Sequence, residues 1–180
     1  MKKHNILTLI LVIVMAFTST TFAKSAKAID KDANDAINTF IAENKGGDSF
    51  LVKAKAFLVF PDIKEAGFFV GGKYGEGVLR VQRETKAFYS IKSASVGMQM
   101  GAQQYAMIIA FTSDTALNKF LLDDDWKTDV DGKIAMAEWN SKEELDDIDF
   151  DTDMVAFVFD SKGMMGSFTM EGTQFKRIKL

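Results

Sequence analysis

The chain has 180 residues, a formal net charge of −3 at neutral pH, no cysteine and one histidine, His4. The missing cysteine excludes disulfides, thiolate metal sites and cysteine nucleophiles. Since no serine lies three residues before a lysine and no histidine follows position 4, the usual nucleophile–base sets are missing, and we expect the protein not to be an enzyme and to need no cofactor.

The first 23 residues have the pattern of a secretory signal peptide. Lys2 and Lys3 are followed by an apolar run over residues 6–17, broken only by Thr8, and then by small residues ending at Ala23. As a helix this run would span about 18 Å, short of a hydrocarbon core of roughly 30 Å. We therefore expect residues 1–23 to be removed and residues 24–180 to form one exported domain, periplasmic or extracellular. No cysteine is present at the cut to carry a lipid anchor.

The charges divide the rest of the chain into two unlike halves. Residues 24–100 hold 12 Lys/Arg and 9 Asp/Glu, a net of +3, whereas residues 101–180 hold 8 and 16, a net of −8. An acidic chain is expected to bind nucleic acid poorly, but the basic half of this chain could bind an anionic lipid surface.

The mature chain opens with predicted helices and continues as strands. Residues 28–43 predict an amphipathic helix with its apolar stripe on Ile29, Ala33, Ala36, Ile37, Phe40 and Ile41, which either packs on the core or lies on a membrane. Residues 49–55 predict a short second helix, and residues 114–122 a helix capped by Ser113 or Asp114. Strands are predicted over 56–60, 66–72, 78–83, 87–96, 105–111, 134–139, 154–159 and 165–170. The expected fold is α+β, with N-terminal helices packed on a curved or barrel-like antiparallel β-sheet.

Two segments resemble ligand-binding motifs without matching them. Residues 127–138 resemble the calcium-binding loop of an EF-hand in sequence. Because Lys127 occupies the first ligand position, we predict an acidic turn and no metal site. Weak calcium binding by the acidic run 143–153 stays open. Residues 71–77, rich in glycine, lack the spacing of a phosphate-binding loop and predict a hairpin turn.

The basic half combines cations with aromatic side chains around this glycine-rich segment. A headgroup site for anionic lipid is predicted there from Lys53, Lys55, Lys64, Lys73, Arg80, Arg83 and Lys92. Phe68, Phe69 and Tyr74 would supply its apolar contact.

Three ordered motifs resemble the SYLF domain family. Residues 55–67 (KAFLVFPDIKEAG) resemble its opening signature, residues 71–79 (GGKYGEGVL) its glycine-rich continuation, and residues 95–102 (SVGMQMGA) its Ser-x-Gly-x-Gln-x-Gly segment. The resemblance runs from about residue 28 to the C-terminus, and its motif glycines are Gly67, Gly71, Gly72, Gly75, Gly77, Gly97 and Gly101.

This resemblance implies a non-enzymatic lipid-binding domain. Eukaryotic relatives bind phosphoinositides and sometimes actin, and neither activity is expected of an exported protein. The leading hypothesis is peripheral binding to anionic phospholipid such as phosphatidylglycerol. The alternatives are a module that interacts with an envelope protein, docking through the acidic half, and a carrier that encloses an apolar lipid ligand.

Overall fold

The computed structural model describes residues 24–137, 145, 151–163 and 168–180, without the side chains of residues 68–70, 95–100 and 163. Its elements in chain order are α1 (Ala26–Glu43), α2 (Gly47–Lys53), β1 (Ala56–Val81), β2 (Glu84–Phe111), α3 (Asp114–Leu122), β3 (Asp125–Lys127), β4 (Ala135–Met136), β5 (Met154–Gly163) and β6 (Gln174–Ile178). None of the described helices has the length and apolar content that a membrane-crossing helix needs.

The described strands form one curled sheet around the long strand β2. Their order is β3-β6-β2-β5-β4, and β1 pairs with β2 outside this path. The pairs are antiparallel except β4 with β5. The sheet curls into a half-barrel with the N-terminal helix packed on it, which confirms the predicted fold.

Helix α1 is docked on the outer face of the sheet. Its buried residues are Ile29, Ala33, Ala36 and Phe40, the core of the predicted stripe. Phe40 packs with its ring centroid 5.5 Å from that of Phe157 and 5.4 Å from that of Phe159. The apolar face of this helix is therefore used for packing, the first of the two predicted alternatives.

The sheet has an apolar cluster on each face. The inner cluster lies inside the half-barrel, where the ring of Phe120 from α3 contacts four other aromatic rings, those of Tyr89, Phe111, Trp126 and Phe175. The outer cluster joins α1 and α2 to the other face through Phe40, Phe50, Val59 and Phe157. The rings of the inner cluster pack against one another inside the half-barrel.

The prediction of short separate strands was wrong for the basic half. The strands expected at 56–60, 66–72 and 78–83 are one continuous strand, β1, and those at 87–96 and 105–111 are β2. Residues 71–77 are part of β1, so the predicted hairpin turn is not there. The β1–β2 connection lies at Gln82 and Arg83, which both have positive φ angles (51° and 67°), as a tight hairpin turn of type I′ requires.

The acidic half differs from prediction in its last strands. A strand was predicted over residues 165–170, but residues 168–170 are not in a strand and residues 164–167 are not among the described residues. The final strand is β6. The predicted strand 134–139 is reduced to β4, with residues 138 and 139 outside the description. Helix α3 begins where predicted, and the Ser113 side chain caps it by accepting from the Ala116 N–H at 3.1 Å.

Candidate functional site

The long β1–β2 hairpin bends back on itself, and two motif glycines sit where its halves meet. Residues 59 and 77 would lie roughly 60 Å apart on a straight strand. Instead, a Cβ added to Gly77 would stand 2.1 Å from the carbonyl oxygen of Val59. A Cβ on Gly75 would stand 3.0 Å from the carbonyl oxygen of Asp62. Glycine is needed at position 77 because the two halves of β1 approach there more closely than a side chain permits, and at position 75 a side chain would be tightly crowded.

The middle of the hairpin, which we call the bend, comprises residues 66–72 of β1 and 94–102 of β2. Its backbone pairs Gly67 with Gly101, Val70 with Val96, and Gly71 with Ser95. The register shifts between Phe68 and Phe69, where β2 has extra residues. Such a bulge turns a strand locally. Five of the seven motif glycines belong to the bend: Gly67, Gly71, Gly72, Gly97 and Gly101.

Exposed cations and a tyrosine flank the bend. Tyr74 pairs directly with Lys92 across the two strands, so both side chains lie on one face of the sheet. The Tyr74 hydroxyl donates to Glu76 Oε1 at 2.8 Å, and burial together with this bond raises the pKa of Tyr74 to about 12. Lys64 is exposed, with its Nζ 3.8 Å from Asp62 Oδ2.

The row of side chains through Tyr74 continues across two more strands. Lys92 pairs with Gln174 of β6, and Gln174 pairs with Lys127 of β3. Lys92 and Lys127 are both exposed. Sequence patterns did not indicate that Lys127 belongs to this row, because strands β3 and β6 were not predicted.

Three other predicted headgroup residues lie at the opposite end of the hairpin, which we call the helix end. Lys53 ends α2, and Lys55 precedes β1 and pairs with Asp114 of α3 at 3.3 Å. Arg83, in the β1–β2 turn, pairs with Asp48 of α2. Lys55 and Lys64 are separated by roughly 30 Å of extended chain. The predicted cations thus form two groups at the two ends of the hairpin.

Arg80 and Lys73 are buried and make contacts inside the protein. The Arg80 guanidinium lies 3.1 Å from Asp30 Oδ1 and donates to Asn34 Oδ1 at 2.6 Å, which ties β1 to α1. Lys73 donates to the carbonyl oxygen of Thr169 at 2.7 Å. A headgroup cannot reach either group without displacing these contacts, and the pairing of Asp30 with Arg80 carries no recognisable sequence signal.

The Lys73 ammonium stands in a polar cluster at one end of the inner face. Burial lowers its pKa from 10.5 to about 8, and the charge of Glu65 opposes this shift. Glu65 Oε2 accepts from Gln103 Nε2 at 3.0 Å and from the Tyr105 hydroxyl at 3.1 Å. Burial also raises the pKa of Tyr105. This cluster keeps one lysine charge inside the half-barrel at neutral pH.

The predicted absence of a calcium loop concerns a segment that is only partly described. Asp131 Oδ2 accepts from the Lys127 N–H at 2.7 Å, and Asp129 has a φ of 68°, so these residues form a tight turn. Glu138 and most of the run 143–153 lie outside the description. Among the described residues, no group of three His, Cys, Asp or Glu side chains is arranged to hold a metal ion.

Comparison with known proteins gives one family match. No curated protein matches the chain closely enough to be reported as a relative. The family model described as "Ysc84: Las17-binding protein actin regulator" matches residues 92–179. The matched region begins in β2 at Lys92 and runs through α3 to the end of β6. Domains of this family are generally non-catalytic binding modules. Residues 92–179 therefore belong to a domain of the Ysc84/SYLF family, the family that the glycine motifs predicted.

Proposed function

We propose that this protein binds anionic phospholipid peripherally at a membrane surface, through the bend of its β1–β2 hairpin. The observation that carries the proposal is the sequence of the bend combined with its surroundings. Between its glycines the bend has Phe68, Phe69 and Val70 on β1 and Val96, Met98 and Met100 on β2. Exposed Lys64, Lys92 and Tyr74 flank this apolar stretch.

This combination matches what a peripheral membrane site requires. Each lysine near an anionic surface contributes about 1 kcal/mol, so Lys64, Lys92 and Lys127 together contribute roughly 3 kcal/mol. Burying one phenylalanine side chain in the acyl region adds roughly 2 kcal/mol. The sum predicts reversible attachment that weakens as salt screens the charges. Exposed Tyr74 suits the boundary between headgroup and acyl chain, where tyrosine is favoured.

The proposal includes the compartment expected from residues 1–23. An exported protein meets the outer face of a membrane or the periplasmic leaflets, where phosphatidylglycerol is a more natural ligand than a phosphoinositide. Actin binding, which the description of the family model names, is not proposed for this chain.

Sedimentation with vesicles tests the proposal and locates the surface. The purified protein is mixed with phosphatidylglycerol/phosphatidylcholine vesicles at low and at moderate salt. We expect binding at low salt that decreases at moderate salt. The double variant Lys64→Glu/Lys92→Glu should lose most of it. The control, Lys53→Glu/Lys55→Glu, makes the same charge change at the helix end and should bind nearly as well as the wild type.

Two results would contradict the proposal. One is the absence of wild-type binding to phosphatidylglycerol at low salt. The other is loss of binding in the helix-end control with full binding by the bend variant, which would move the membrane surface to α2 and α3. Thermal unfolding of both variants checks that each is folded, because all four lysines are exposed and their reversal should cost little stability.

A further inference from the structure

A small cleft lies between the start of α1 and the meeting point of the two halves of β1. It has a volume of about 220 Å³. Its lining includes Ile29, which is buried, and Pro61 and Gly75 on the two halves of the strand. A space of this size holds a small polar molecule and is below the range of drug-sized ligands. A second cleft of about 270 Å³ shares part of this lining.

The polar lining of the cleft carries charges of both signs. Its cations are Lys24 and Lys64, and its carboxylates are Asp32, Asp62 and Glu76. These groups come from the chain before α1, from α1 itself and from both halves of β1. Lys24 Nζ lies 2.7 Å from Asp32 Oδ2, and the Lys64–Asp62 separation of 3.8 Å is too long for a hydrogen bond. Exposed pairs of this kind are weak and exchange readily for ligand charges.

One carboxylate oxygen of the cleft has no hydrogen-bond donor among the described residues. Asp62 Oδ1 is buried and unpaired, next to the bulge of β1 between Phe60 and Ile63. A buried acceptor without a donor costs roughly 1–3 kcal/mol, and more when it is charged. Because the Asp62 side chain as a whole is 27% exposed, rotation of its carboxylate would bring this oxygen to an ammonium group in the cleft.

The aromatic ring at the cleft favours the same ligand class. Tyr74 is 47% exposed and lines the cleft beside Glu76. The face of a tyrosine ring attracts organic cations. The cleft is thus lined by carboxylates and an aromatic ring, which suit an organic cation, and by two lysine ammonium groups, which suit an anion.

We propose that this cleft binds a phosphoethanolamine group, with its ammonium at Asp62, Glu76 and Tyr74 and its phosphate at Lys24 and Lys64. The same chemistry occurs in the headgroup of phosphatidylethanolamine and in free phosphoethanolamine. Binding of the lipid headgroup rests on the proposed function, because it requires the protein to meet a membrane. Binding of free phosphoethanolamine does not require a membrane.

The first arm of the test titrates the purified protein with phosphoethanolamine and follows amide chemical shifts by NMR. We expect a dissociation constant near the millimolar range and shifts around residues 62 and 74. Ethanolamine alone and inorganic phosphate alone should each bind at least tenfold more weakly. The isosteric variant Asp62→Asn/Glu76→Gln should lose at least tenfold in affinity. The control Asp124→Asn, which changes an exposed carboxylate beside Arg177, should bind as the wild type does.

The second arm uses vesicles with a fixed fraction of phosphatidylglycerol, in which the remaining lipid is either phosphatidylcholine or phosphatidylethanolamine. Phosphatidylethanolamine should strengthen vesicle binding by the wild type, whereas vesicle binding by Asp62→Asn/Glu76→Gln should be the same with either lipid. Absence of shifts with phosphoethanolamine, or equal affinity in the variant, overturns the inference even if phosphatidylglycerol binding persists. If phosphoethanolamine shifts the amide signals at the cleft but the protein binds no vesicle, the inference stands with the free group as ligand. That result counts only against the proposed function.

Discussion

Replacing Lys73 by methionine should abolish a rise in stability that the wild-type protein shows between pH 7 and about pH 9.5. Lys73 is only 6% exposed, and burial lowers its pKa in the folded protein to about 8, against 10.5 for an unfolded chain. The unfolded chain therefore holds this proton more tightly than the folded protein does. The resulting penalty is fully present below pH 8 and is lost as the pH rises from 8 to 10.5.

The size of the effect follows from the two pKa values. A separation of about 2.5 pKa units corresponds to a maximum of about 3.4 kcal/mol, and about 2 kcal/mol of it is recovered between pH 7 and 9.5. This gain in stability is opposed by the tyrosines whose pKa values are raised in the folded protein, Tyr74, Tyr89 and Tyr105. Tyrosine in the unfolded chain begins to ionise near pH 9.5, which costs about 0.4 kcal/mol in wild type and variant alike when solvent screening of the exposed Tyr74 is allowed for.

Urea unfolding followed by tryptophan fluorescence measures the effect, since Trp126 is buried in the inner cluster. The wild type should gain about 1.5 kcal/mol between the two pH values, and Lys73→Met should gain nothing or lose slightly. The exposed control Lys64→Met should keep the wild-type gain. Parallel pH profiles for wild type and Lys73→Met would refute the reasoning, because the buried ammonium would then carry no penalty.

Two further predictions concern the packing of the hairpin and of α1. Gly77→Ala should lower the free energy of unfolding by at least about 3 kcal/mol or prevent folding, because the new methyl group meets the Val59 carbonyl oxygen. The control Gly172→Ala lies in open space with a φ of +62°, and thermal unfolding should show a loss of only about 1 kcal/mol. Arg80→Met should cost roughly 2–3 kcal/mol and speed amide exchange in α1, because it removes the pairing with Asp30; unchanged exchange would contradict this.

The sequence predicted the helices and the fold class because those signals are local. The apolar stripe from Ile29 to Phe40 and the cap at Ser113 each depend on residues within a few positions of one another. Sheet strands that alternate between apolar and polar residues are visible in the same way. The α+β fold followed from these elements taken together.

The continuity of β1 could not be predicted, because its glycines serve a long-range contact. Gly75 and Gly77 lie in a segment whose composition is typical of a turn, yet they are glycines because residues 59–63 pack against them from far along the chain. For the same reason, burial of Lys73 and Arg80 was not foreseen. Each side chain finds its partner in a distant element, Thr169 or Asp30, and composition does not encode such pairs.

Amide hydrogen exchange in the presence of phosphatidylglycerol vesicles tests most directly whether the bend is the membrane-binding surface. We predict slower exchange on vesicle binding in residues 64–74 and 92–102, with no change in α2 or α3. Protection confined to the helix end would contradict the account, as would an exchange pattern that vesicles leave unchanged throughout the chain.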